Sequence, residues 1–310
     1  MGGLQLKVFV CMVFLSSSKH VIAWSAQGHA LVLREAYTIL TPEKKTAFDA
    51  LAAVLPNSIS MRDVSERTQR ACSDSKALCS FAIWPDRIRD VPLSELFTRA
   101  GEAVPPQLVD FSATGETTAR WHYTNAFYST EVKAFTGACA HRNKGLLAQT
   151  LAQLFYAYGE SKRDKQKAII LSLLLHMLAD AHQPLHTVSA HTKTCKHDYG
   201  GNGVCVTTTP KRCKKNLHQL WDSGGELFDK SMKWDAAKLY LNSTQIAHIE
   251  PLVAQWLRES QAFAVDVYTK PKGYSDRAYL EKVRRISEQR IVYSIARTAN
   301  MLESLLELKE

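Results

Sequence analysis

The amino-acid sequence predicts a mostly α-helical protein, a single helical domain with at most a small β-hairpin. Three observations lead to this prediction. Apolar residues recur at helical spacing over most of the chain, alternating strand-like runs are nearly absent, and neither an internal repeat nor a long linker divides the chain. With 310 residues, 45% of them hydrophobic, the chain can bury a sizeable core. We expect one domain over residues 24–310.

The first 23 residues predict a secretory signal peptide. Lys7 precedes an apolar run at 8–15, and the small residues Val21 and Ala23 follow near the end of the segment. The run is much shorter than the roughly 20 apolar residues that a membrane span needs. No apolar stretch follows at the C-terminal end, so we expect no membrane anchor. The expected location is secreted or periplasmic.

The predicted helices follow one another along most of the chain. They lie at 41–55, 143–158, 165–183, 214–230, 245–265 and 277–308. The first begins with Thr41 as N-cap and a proline in its first turn, which is a typical helix start. Residues 56–120 read as loops rich in Pro, Gly and Cys. Strand alternation appears only near the sequence NGVCVTT (202–208), which predicts the small hairpin.

The cysteines indicate an oxidising compartment. Removal of the leader takes Cys11 away and leaves six cysteines: Cys72, Cys79, Cys139, Cys195, Cys205 and Cys213. An even number in an exported protein favours disulfides, and no CxxC spacing supports a thiolate metal site. The sequence does not choose among the pairings, although Cys72 with Cys79 would close a short loop.

The net charge is basic. Loss of Lys7 and Lys19 with the leader lowers the formal charge from +9 to +7. A basic protein often meets phosphates, but a solvated surface explains the basic run at 211–216 equally well.

The most informative polar residues lie in the apolar helix predicted at 165–183. His176 and Asp180 are four residues apart and project from the same helix face, a spacing that lets both reach one metal ion. A proline then ends the helix, and the chain turns back to offer His186. We expect His182 to point elsewhere, either at the surface or supporting the ligands from behind. Any one of these residues alone reads better as a hydrogen-bonded core residue.

A second copy of this spacing favours a metal site. The segment LHQLWD places His218 and Asp222 four residues apart on another predicted helix. Asp86 stands one turn before Arg89, which would put a metal-binding carboxylate beside a phosphate-binding guanidinium. A surface ion pair explains that fragment alone, and core packing alone explains His122 between two aromatic residues.

Together these fragments resemble the zinc-dependent class I single-strand-specific nucleases and 3′-nucleotidases, the S-one/P-one type that includes mung bean nuclease. The motifs, in chain order, are W-x4-H from Trp24 to His29, W-x-D-x-x-R, W-H-Y, H-x3-D-x5-H, G-G-N and H-x3-D. The resemblance runs motif by motif from Trp24 to Asp222. It implies the helical fold that this family shares with zinc phospholipase C.

The resemblance also implies three Zn²⁺ ions per chain. The implied ligand sets are Asp86, His122, His176 and Asp180 for one zinc; the amino group and carbonyl of Trp24 with His29 and Asp180 for its neighbour; and His186, His218 and Asp222 for the third. Nitrogen and oxygen ligands without cysteine, with positions left for water and substrate, suit catalytic zinc.

Further roles follow from the same resemblance. Asp86 and Arg89 are implied to be catalytic, the arginine by stabilising charge on the phosphoryl oxygens. Tyr123 is implied to stack on an exposed base, Asn125 to hydrogen-bond the base edge, and Asn202 to lie near the phosphate or the base. Core packing explains Tyr123 equally well. Asn125 stands where several family members have Asp, so a broader or shifted base preference is expected.

The implied function is a secreted phosphodiesterase. It would hydrolyse single-stranded DNA and RNA to 5′-phosphorylated products, and 3′-nucleotides to nucleosides. We expect a monomer without a stable protein partner, and Asn242 is a glycosylation acceptor if the host glycosylates. A zinc phospholipase C or general phosphomonoesterase would use the same metals with different pocket walls. A non-catalytic exported zinc-binding protein is the alternative of another class, and it would have no need of Arg89.

Overall fold

The computed structural model describes most of the chain. The described residues are 24–55, 69, 76–206, 213, 215–229, 246–270 and 276–306. The predicted signal peptide (1–23), Cys72 and the acceptor Asn242 lie outside them. Within the described ranges the protein is mostly α-helical with one small sheet, which confirms the predicted fold class.

The elements are numbered here in chain order. The helices are α1 (Ala26–Ile39), α2 (Pro42–Ala53), α3 (Lys76–Ile88), α4 (Leu93–Arg99), α5 (Val109–Ala113), α6 (Leu147–Glu160), α7 (Asp164–Asp180), α8 (Leu217–Asp222), α9 (Glu250–Gln261), α10 (Ala264–Tyr268) and α11 (Arg277–Leu305). Single 3₁₀ turns lie at Pro106–Leu108, Thr118–Arg120, Ala140–Arg142, Pro184–His186 and Leu227–Asp229. The strands are β1 (Ala126–Ser129), β2 (Ala134–Phe135) and β3 (Val188–His191).

Helix α7 is at the centre of the core. All its residues from Ala168 to Asp180 are buried, and α1, α2, α3, α6 and α11 pack against it. A helix that is apolar on every side is stable only when other elements cover it in this way. Because His176 and Asp180 occupy its last turns, the surrounding helices converge on these two residues.

A proline inside α3 shapes the contact between α3 and α7. Pro85 has no N–H, so the carbonyl of Phe81 lacks its usual partner within the helix. The hydroxyl of Ser172 on α7 donates to that carbonyl at 2.7 Å. The next carbonyl, that of Ala82, accepts from Nδ1 of His176 at 2.8 Å. The interrupted helix therefore binds and orients a side chain of α7.

The small sheet has the strand order β2-β1-β3. β1 pairs antiparallel with β2 and parallel with β3, with Ala126 opposite Val188. The parallel pair starts next to the chain turn after α7, since the amide of Thr124 donates to the carbonyl of His186 at 2.8 Å. The amide of Ala126 likewise donates to the carbonyl of Thr187 at 2.9 Å.

Most of the predicted helices are confirmed with shifted ends. The predictions at 41–55, 143–158, 165–183 and 277–308 correspond to α2, α6, α7 and α11, and the prediction at 245–265 corresponds to α9 and α10 with a break between them. Thr41 caps α2 as predicted, and its hydroxyl accepts from the amide of Lys44 at 3.3 Å. The predicted helix 214–230 is wrong beyond Asp222, where Gly224 and Gly225 take left-handed φ values of 57° and 61°.

Two further predictions are wrong. The region 56–120 does not consist only of loops, because its described part contains α3, α4 and α5. The hairpin near 202–208 is not formed by residues 202–206, where Cys205 makes only an isolated bridge with Asn216; residues 207 and 208 lie outside the described part. The three observed strands lie elsewhere.

The cysteines form disulfides, as predicted. Cys139 is bonded to Cys195, and Cys205 to Cys213; Cys79 is also disulfide-bonded. The first of these bonds ties the loop after β2 to the loop after β3. Among the described helices, none combines the length and the apolar character that crossing a membrane requires.

Candidate metal centre

The fold brings the predicted ligands together in three groups. In each group one nitrogen or oxygen atom per residue lies within 4.8 Å of the others. The groups are His29, His176 and Asp180; Asp86, His122 and His176; and His186, His218 and Asp222. The first two groups share His176 and form one site, called the paired site below; the last is called the third site.

Buried tryptophans anchor the segments that carry these residues. Trp84, Trp121 and Trp221 are almost completely buried, and each stands one or two residues before a predicted ligand. An indole buries a large apolar area and fixes the backbone next to it. Trp24 is buried as well, and its Nε1 donates to the carbonyl of Ala179 at 2.9 Å.

The carboxylate of Asp180 is the centre of the paired site. Its Oδ1 lies 3.2 Å from Nε2 of His29, and its Oδ2 lies 3.0 Å from Nδ1 of His122. Nε2 of His176 is 3.7 Å from Oδ2, and it lies 3.6 Å from Oδ1 of Asp86. The rings of His29 and His176 stack at 3.7 Å with an interplanar angle of 8°. One carboxylate thus faces three imidazoles from two sides.

The tautomer of His176 directs its second ring nitrogen at the carboxylates. Because its Nδ1 donates to the Ala82 carbonyl, Nε2 of the neutral ring carries a lone pair. That lone pair points at two carboxylate oxygens. The buried atoms of the paired site without a hydrogen-bond partner are Nε2 of His29, Nε2 of His122, Nε2 of His176, Oδ1 of Asp86 and Oδ1 of Asp180. Unpaired buried polar atoms are costly, and a divalent metal with nitrogen and oxygen ligands would satisfy such a set.

The third site shows the same requirement more directly. Nε2 of His186 and Nε2 of His218 lie 3.1 Å apart. Nδ1 of His186 is bonded to the carbonyl of His122, and Nδ1 of His218 is bonded to the carbonyl of Gly200 at 2.6 Å. Both rings therefore carry their proton on Nδ1, and two lone pairs face each other. Oδ1 of Asp222 lies 3.5 Å from Nε2 of His218, which completes a set of three ligands suited to zinc.

Gly200 can orient His218 because it is a glycine. Its φ is +60°, a left-handed conformation, and a Cβ atom would lie 2.5 Å from the carbonyl oxygen of Leu185. Any side chain at this position would push the loop away from His218.

Charge in the paired site favours a bound cation. Burial alone would lower the pKa of His176, but Asp180 and Asp86 outweigh it and raise this pKa to about 9. Burial and the neighbouring imidazoles of His176 and His122 lower the pKa of His29 well below its usual range. The carboxylates therefore attract positive charge, yet the clustered rings cannot all be protonated. A metal ion satisfies both conditions.

The first described residues are held at this centre. The amide of Ser25 donates to the carbonyl of Asp222 at 2.9 Å, and the indole of Trp24 is bonded to the residue before Asp180. A Cβ at Gly28 would lie 2.9 Å from Cβ of Trp24, so glycine permits α1 to pack closely here. The main chain at residue 24 thus lies between the segments that carry Asp180 and Asp222.

Arg89 is buried at the end of α3, three residues after Asp86. Burial, then the charges of His176 and Arg89, lower the pKa of His122 well below its usual range. The guanidinium charge of Arg89 is thus close enough to affect His122, and its predicted catalytic role stays a prediction.

The three residues predicted to contact substrate differ in their surroundings. Tyr123 is half-buried, and Gly145 packs so closely that a Cβ there would lie 2.2 Å from the Tyr123 carbonyl oxygen. The backbone amide of Asn125 donates to Oδ1 of Asn143 at 3.2 Å, which fixes the segment after Tyr123. These positions follow directly on His122.

Asn202 has a structural role. Its Nδ2 donates to the carbonyl of Tyr199 at 2.9 Å, and its Oδ1 accepts from Nδ2 of Asn216 at 3.2 Å. Asn216 is the N-cap of α8, the helix that carries His218 and Asp222. The Asn202 amide therefore joins its own loop to the N-cap of α8, and its predicted contact with substrate stays a prediction.

Sequence reasoning missed Gln183, which binds a predicted ligand, and Tyr199, which precedes Gly200. Gln183 is fully buried; its Nε2 donates to Oδ1 of Asp222 at 2.6 Å, and its Oε1 accepts from the amide of Leu185 at 2.5 Å. Tyr199 is 64% exposed, and its backbone has a left-handed φ of 57°. Its ring contacts that of His197, with centroids 4.3 Å apart and the ring planes tilted by 53°. Two signals in the sequence could have indicated these residues. Gln183 lies between the two His-x3-Asp segments, and Tyr199 directly precedes Gly200 and Gly201.

His182 lies behind the centre and is fully buried, so the surface alternative predicted for it is wrong. Its Nδ1 bonds the carbonyl of Leu178 at 2.8 Å, and its Nε2 accepts from Arg297 at 2.9 Å. Arg297 and Arg290 both bind the carboxylate of Glu259. The group of His182, Glu259, Arg290 and Arg297 is called the arginine cluster below.

Two comparisons with known proteins agree with this geometry. The model of the S1/P1 Nuclease family matches residues 24–307. Endonuclease 2 of Arabidopsis thaliana is 24% identical over 229 residues, which make up 71% of this chain and 62% of that protein. The chain thus spans less than two thirds of the length of that relative. The family match begins at Trp24 and includes all three groups of the metal centre. This chain belongs to the S1/P1 nuclease family.

Proposed function

We propose that this protein is a zinc-dependent phosphodiesterase with three Zn²⁺ ions per chain. It hydrolyses single-stranded DNA and RNA to 5′-phosphorylated products and 3′-nucleotides to nucleosides. The observation that carries the proposal is the 3.1 Å approach of two imidazole nitrogens, on His186 and His218, whose protons are both committed to the opposite side of the ring. Membership of a nuclease family supports the choice of a phosphate ester as substrate.

The proposed ligands are those that the sequence predicts. In the paired site they are Trp24 through its amino group and carbonyl, His29, Asp86, His122, His176 and Asp180; in the third site they are His186, His218 and Asp222. The unpaired buried atoms of five of these side chains support the assignment. The bond between Ser25 and Asp222 supports a role for the start of the mature chain, because it holds residue 24 beside the centre.

Zinc, when bound, lowers the pKa of a water molecule to about 7 and polarises phosphoryl oxygens. The protein supplies position and charge. Arg89 donates hydrogen bonds to the phosphoryl oxygens as negative charge grows on them. Asp86 is 13% exposed whereas Asp180 is fully buried, so Asp86 is the carboxylate that can accept a proton from an attacking water molecule.

Tyr123 and Asn125 are proposed to hold the base. They follow His122 directly, which places the base next to the phosphate. A base stacks on an aromatic ring only when it is free of its partner strand, so this contact favours single strands. Asn202 is proposed to lie near the phosphate or the base, and its Oδ1 also binds the N-cap residue of α8.

We also propose that residues 1–23 are an export signal and that residues 24–310 work as a single-domain monomer outside the cytoplasm. The disulfides Cys139–Cys195 and Cys205–Cys213 support an oxidising compartment.

The test combines metal analysis with substrate choice. We expect about three zinc ions per purified chain, rapid digestion of single-stranded DNA, slow digestion of duplex DNA, and release of phosphate from 3′-AMP but not 5′-AMP. A phosphatidylcholine assay on the same preparation provides the contrast with a phospholipase. Zinc loading without phosphodiester hydrolysis, or hydrolysis of lipid alone, would contradict the proposal.

A further inference from the structure

Gln183 lies between the two parts of the metal centre. It is fully buried in the chain turn after α7, between Asp180 of the paired site and His186 of the third site. Its amide donates to the carbonyl of Asp180 at 3.0 Å, and its carbonyl accepts from the amide of His186 at 3.0 Å. The backbone of Gln183 therefore holds one proposed ligand of each site.

The side chain of Gln183 binds a further proposed ligand. Its Nε2 donates to Oδ1 of Asp222 at 2.6 Å, although the two residues are 39 positions apart in the chain. Asp222 is itself buried. A buried carboxylate needs hydrogen bonds or an opposite charge, and a donor to a carboxylate forms one of the stronger hydrogen bonds in proteins.

The backbone amide of Leu185 fixes which end of the Gln183 side chain faces Asp222. This N–H donates to Oε1 of Gln183 at 2.5 Å. Because a backbone N–H can only donate, the atom opposite it must be the side-chain oxygen, and the nitrogen must face the carboxylate. Glutamine satisfies both partners at once, whereas an ionised glutamate would lack the donor.

The oxygen that Gln183 binds is also the oxygen that faces the third site. Oδ1 of Asp222 lies 3.5 Å from Nε2 of His218 and 4.0 Å from Nε2 of His186. An ionised carboxylate oxygen has two lone pairs, so one can accept from Gln183 and the other stays available to a cation. The hydrogen bond therefore fixes the carboxylate relative to both imidazoles.

The three side chains of the third site are oriented in different ways. The rings of His186 and His218 are bonded to backbone carbonyls, those of His122 and Gly200. Asp222 is bonded to a side chain. A substitution at Gln183 can therefore remove the support of one ligand and leave the supports of the other two in place.

We propose that Gln183 is a positioning residue of the third site, where it raises the affinity for zinc by holding the Asp222 carboxylate. The inference rests on the proposed function and adds a residue that determines the occupancy of one zinc site. Partners that orient a metal ligand typically contribute about 10–100-fold to metal affinity. Because the hydrogen bonds of this side chain go to Leu185 and Asp222, the paired site should keep its ions without it.

The test is Gln183→Met, which keeps the length of the side chain and removes the amide. Native mass spectrometry in buffers of graded free zinc counts the ions on each chain. We expect one of the three ions to bind about 10–100-fold more weakly than in wild type, and the other two to be unaffected. Gln183→Asn, whose amide is one methylene too short to reach both partners, should act in the same direction and serves if the methionine variant does not fold.

The matched control is Thr187→Val. Thr187 is buried in the same turn, and its hydroxyl donates to the carbonyl of Pro184 at 2.9 Å. The control therefore also loses one buried hydrogen bond, but not one to a proposed ligand, and it should bind three zinc ions as wild type does. An equal loss of affinity in the control would assign the effect to the turn and overturn the proposal.

A double variant tests whether Gln183 acts through Asp222. Asp222→Ala removes the ligand itself and should leave two tightly bound zinc ions. If the support acts on that ligand, Gln183→Met should cost no further zinc in this background, since the effects of coupled residues do not add. Loss of a second ion from the double variant, or an unchanged affinity in Gln183→Met alone, would overturn the positioning role. Wild-type protein that does not bind three zinc ions would instead contradict the proposed function itself.

Discussion

Two buried polar clusters lie on opposite sides of the chain turn after α7, and they differ in how their hydrogen-bonding atoms are paired. In front of the turn, the metal centre directs lone pairs of His186 and His218 at each other. Behind it, in the arginine cluster, the hydrogen bonds join donors to acceptors: Arg297 forms two parallel bonds with Glu259, at 2.7 and 2.8 Å. Arg290 adds a third bond to the same carboxylate at 2.9 Å.

The difference separates two reasons for burying polar groups. The arginine cluster is satisfied by the protein alone and fixes the turn, since His182 receives Arg297 on its ring and Arg290 on its carbonyl. In the metal centre, five buried atoms of the paired site have no hydrogen-bond partner. A buried polar group that lacks its partner costs free energy, and this cost favours a bound cation in the metal centre. The arginine cluster fixes the backbone beside that centre.

The largest effect should come from Asp180→Asn, which removes the central carboxylate of the paired site. We expect loss of zinc from the paired site and a fall in hydrolysis on the order of 10³-fold or more, because the carboxylate faces His29, His122 and His176 at once. In metal-free protein the amide oxygen of the variant can still accept from Nδ1 of His122, so we expect the free energy of unfolding to change little. Zinc analysis and thermal unfolding with and without chelator measure both. Full zinc content and full rate would refute the paired site.

Arg89→Ala tests a front residue that is not a proposed ligand. We expect zinc content to remain and kcat to fall by about 10²–10³, the usual loss when a donor to transition-state charge is removed. Arg87→Ala, an exposed position on the same helix, is the control. Loss of zinc from the Arg89 variant would mean that the guanidinium holds the site together instead.

Glu259→Gln removes the only carboxylate of the arginine cluster as it is defined above. It leaves Arg290 and Arg297 without their carboxylate, and we expect the free energy of unfolding to fall by about 3 kcal/mol. Glu288→Gln, at an exposed position on α11, should have little effect. Urea unfolding of chelated samples makes the measurement independent of zinc.

The same carboxylate predicts a pH dependence. Burial opposes ionisation of Glu259, but hydrogen bonds from Arg297 and Arg290 outweigh it and lower its pKa from 4.5 to about 2. A depressed folded pKa adds stability above the unfolded pKa, and this stability is lost as the pH falls from 4.5 towards 2. The difference in stability between wild type and Glu259→Gln should shrink over that range. A constant difference would contradict the ion-pair assignment.

The smallest effect should come from Tyr199→Asn at the rim of the front cluster. Asparagine tolerates the left-handed backbone, so the change removes the ring without adding strain. If Tyr199 contacts a base, KM for oligonucleotides should rise by the equivalent of about 1–3 kcal/mol while zinc content stays constant. An unchanged KM would assign the ring to packing against His197 only.

Much of the fold could be predicted because its helices carry local signals. α2 has its cap at Thr41, and α7 has an unbroken apolar run. α3 was missed because Pro85 interrupts its pattern. The hydroxyl of Ser172, which binds the carbonyl left free by this proline, lies far away in the sequence. The strands were missed because the parallel pairing of β1 with β3 depends on the chain turn at His186, which no local pattern reveals.

The candidate ligands were predicted better than their supports. Spacing of four residues on one helix is visible in the sequence, and so His176 with Asp180 and His218 with Asp222 were found. The partners of His182 are 108 and 115 residues away, and no periodicity connects them. For the same reason the sequence did not show that Asn202 positions α8.

The bond from the amide of Ser25 to the carbonyl of Asp222 has a consequence for biogenesis. It joins the beginning of the described chain to α8, and the groups of the metal centre draw on segments distributed over the whole stretch between them. Contacts of such large sequence separation form late in folding. A nascent chain that ends before α8 lacks two of the three side chains of the third site. We therefore expect complete zinc uptake only after synthesis has passed Asp222 of the 310 residues, so that no shorter nascent chain is a competent catalyst.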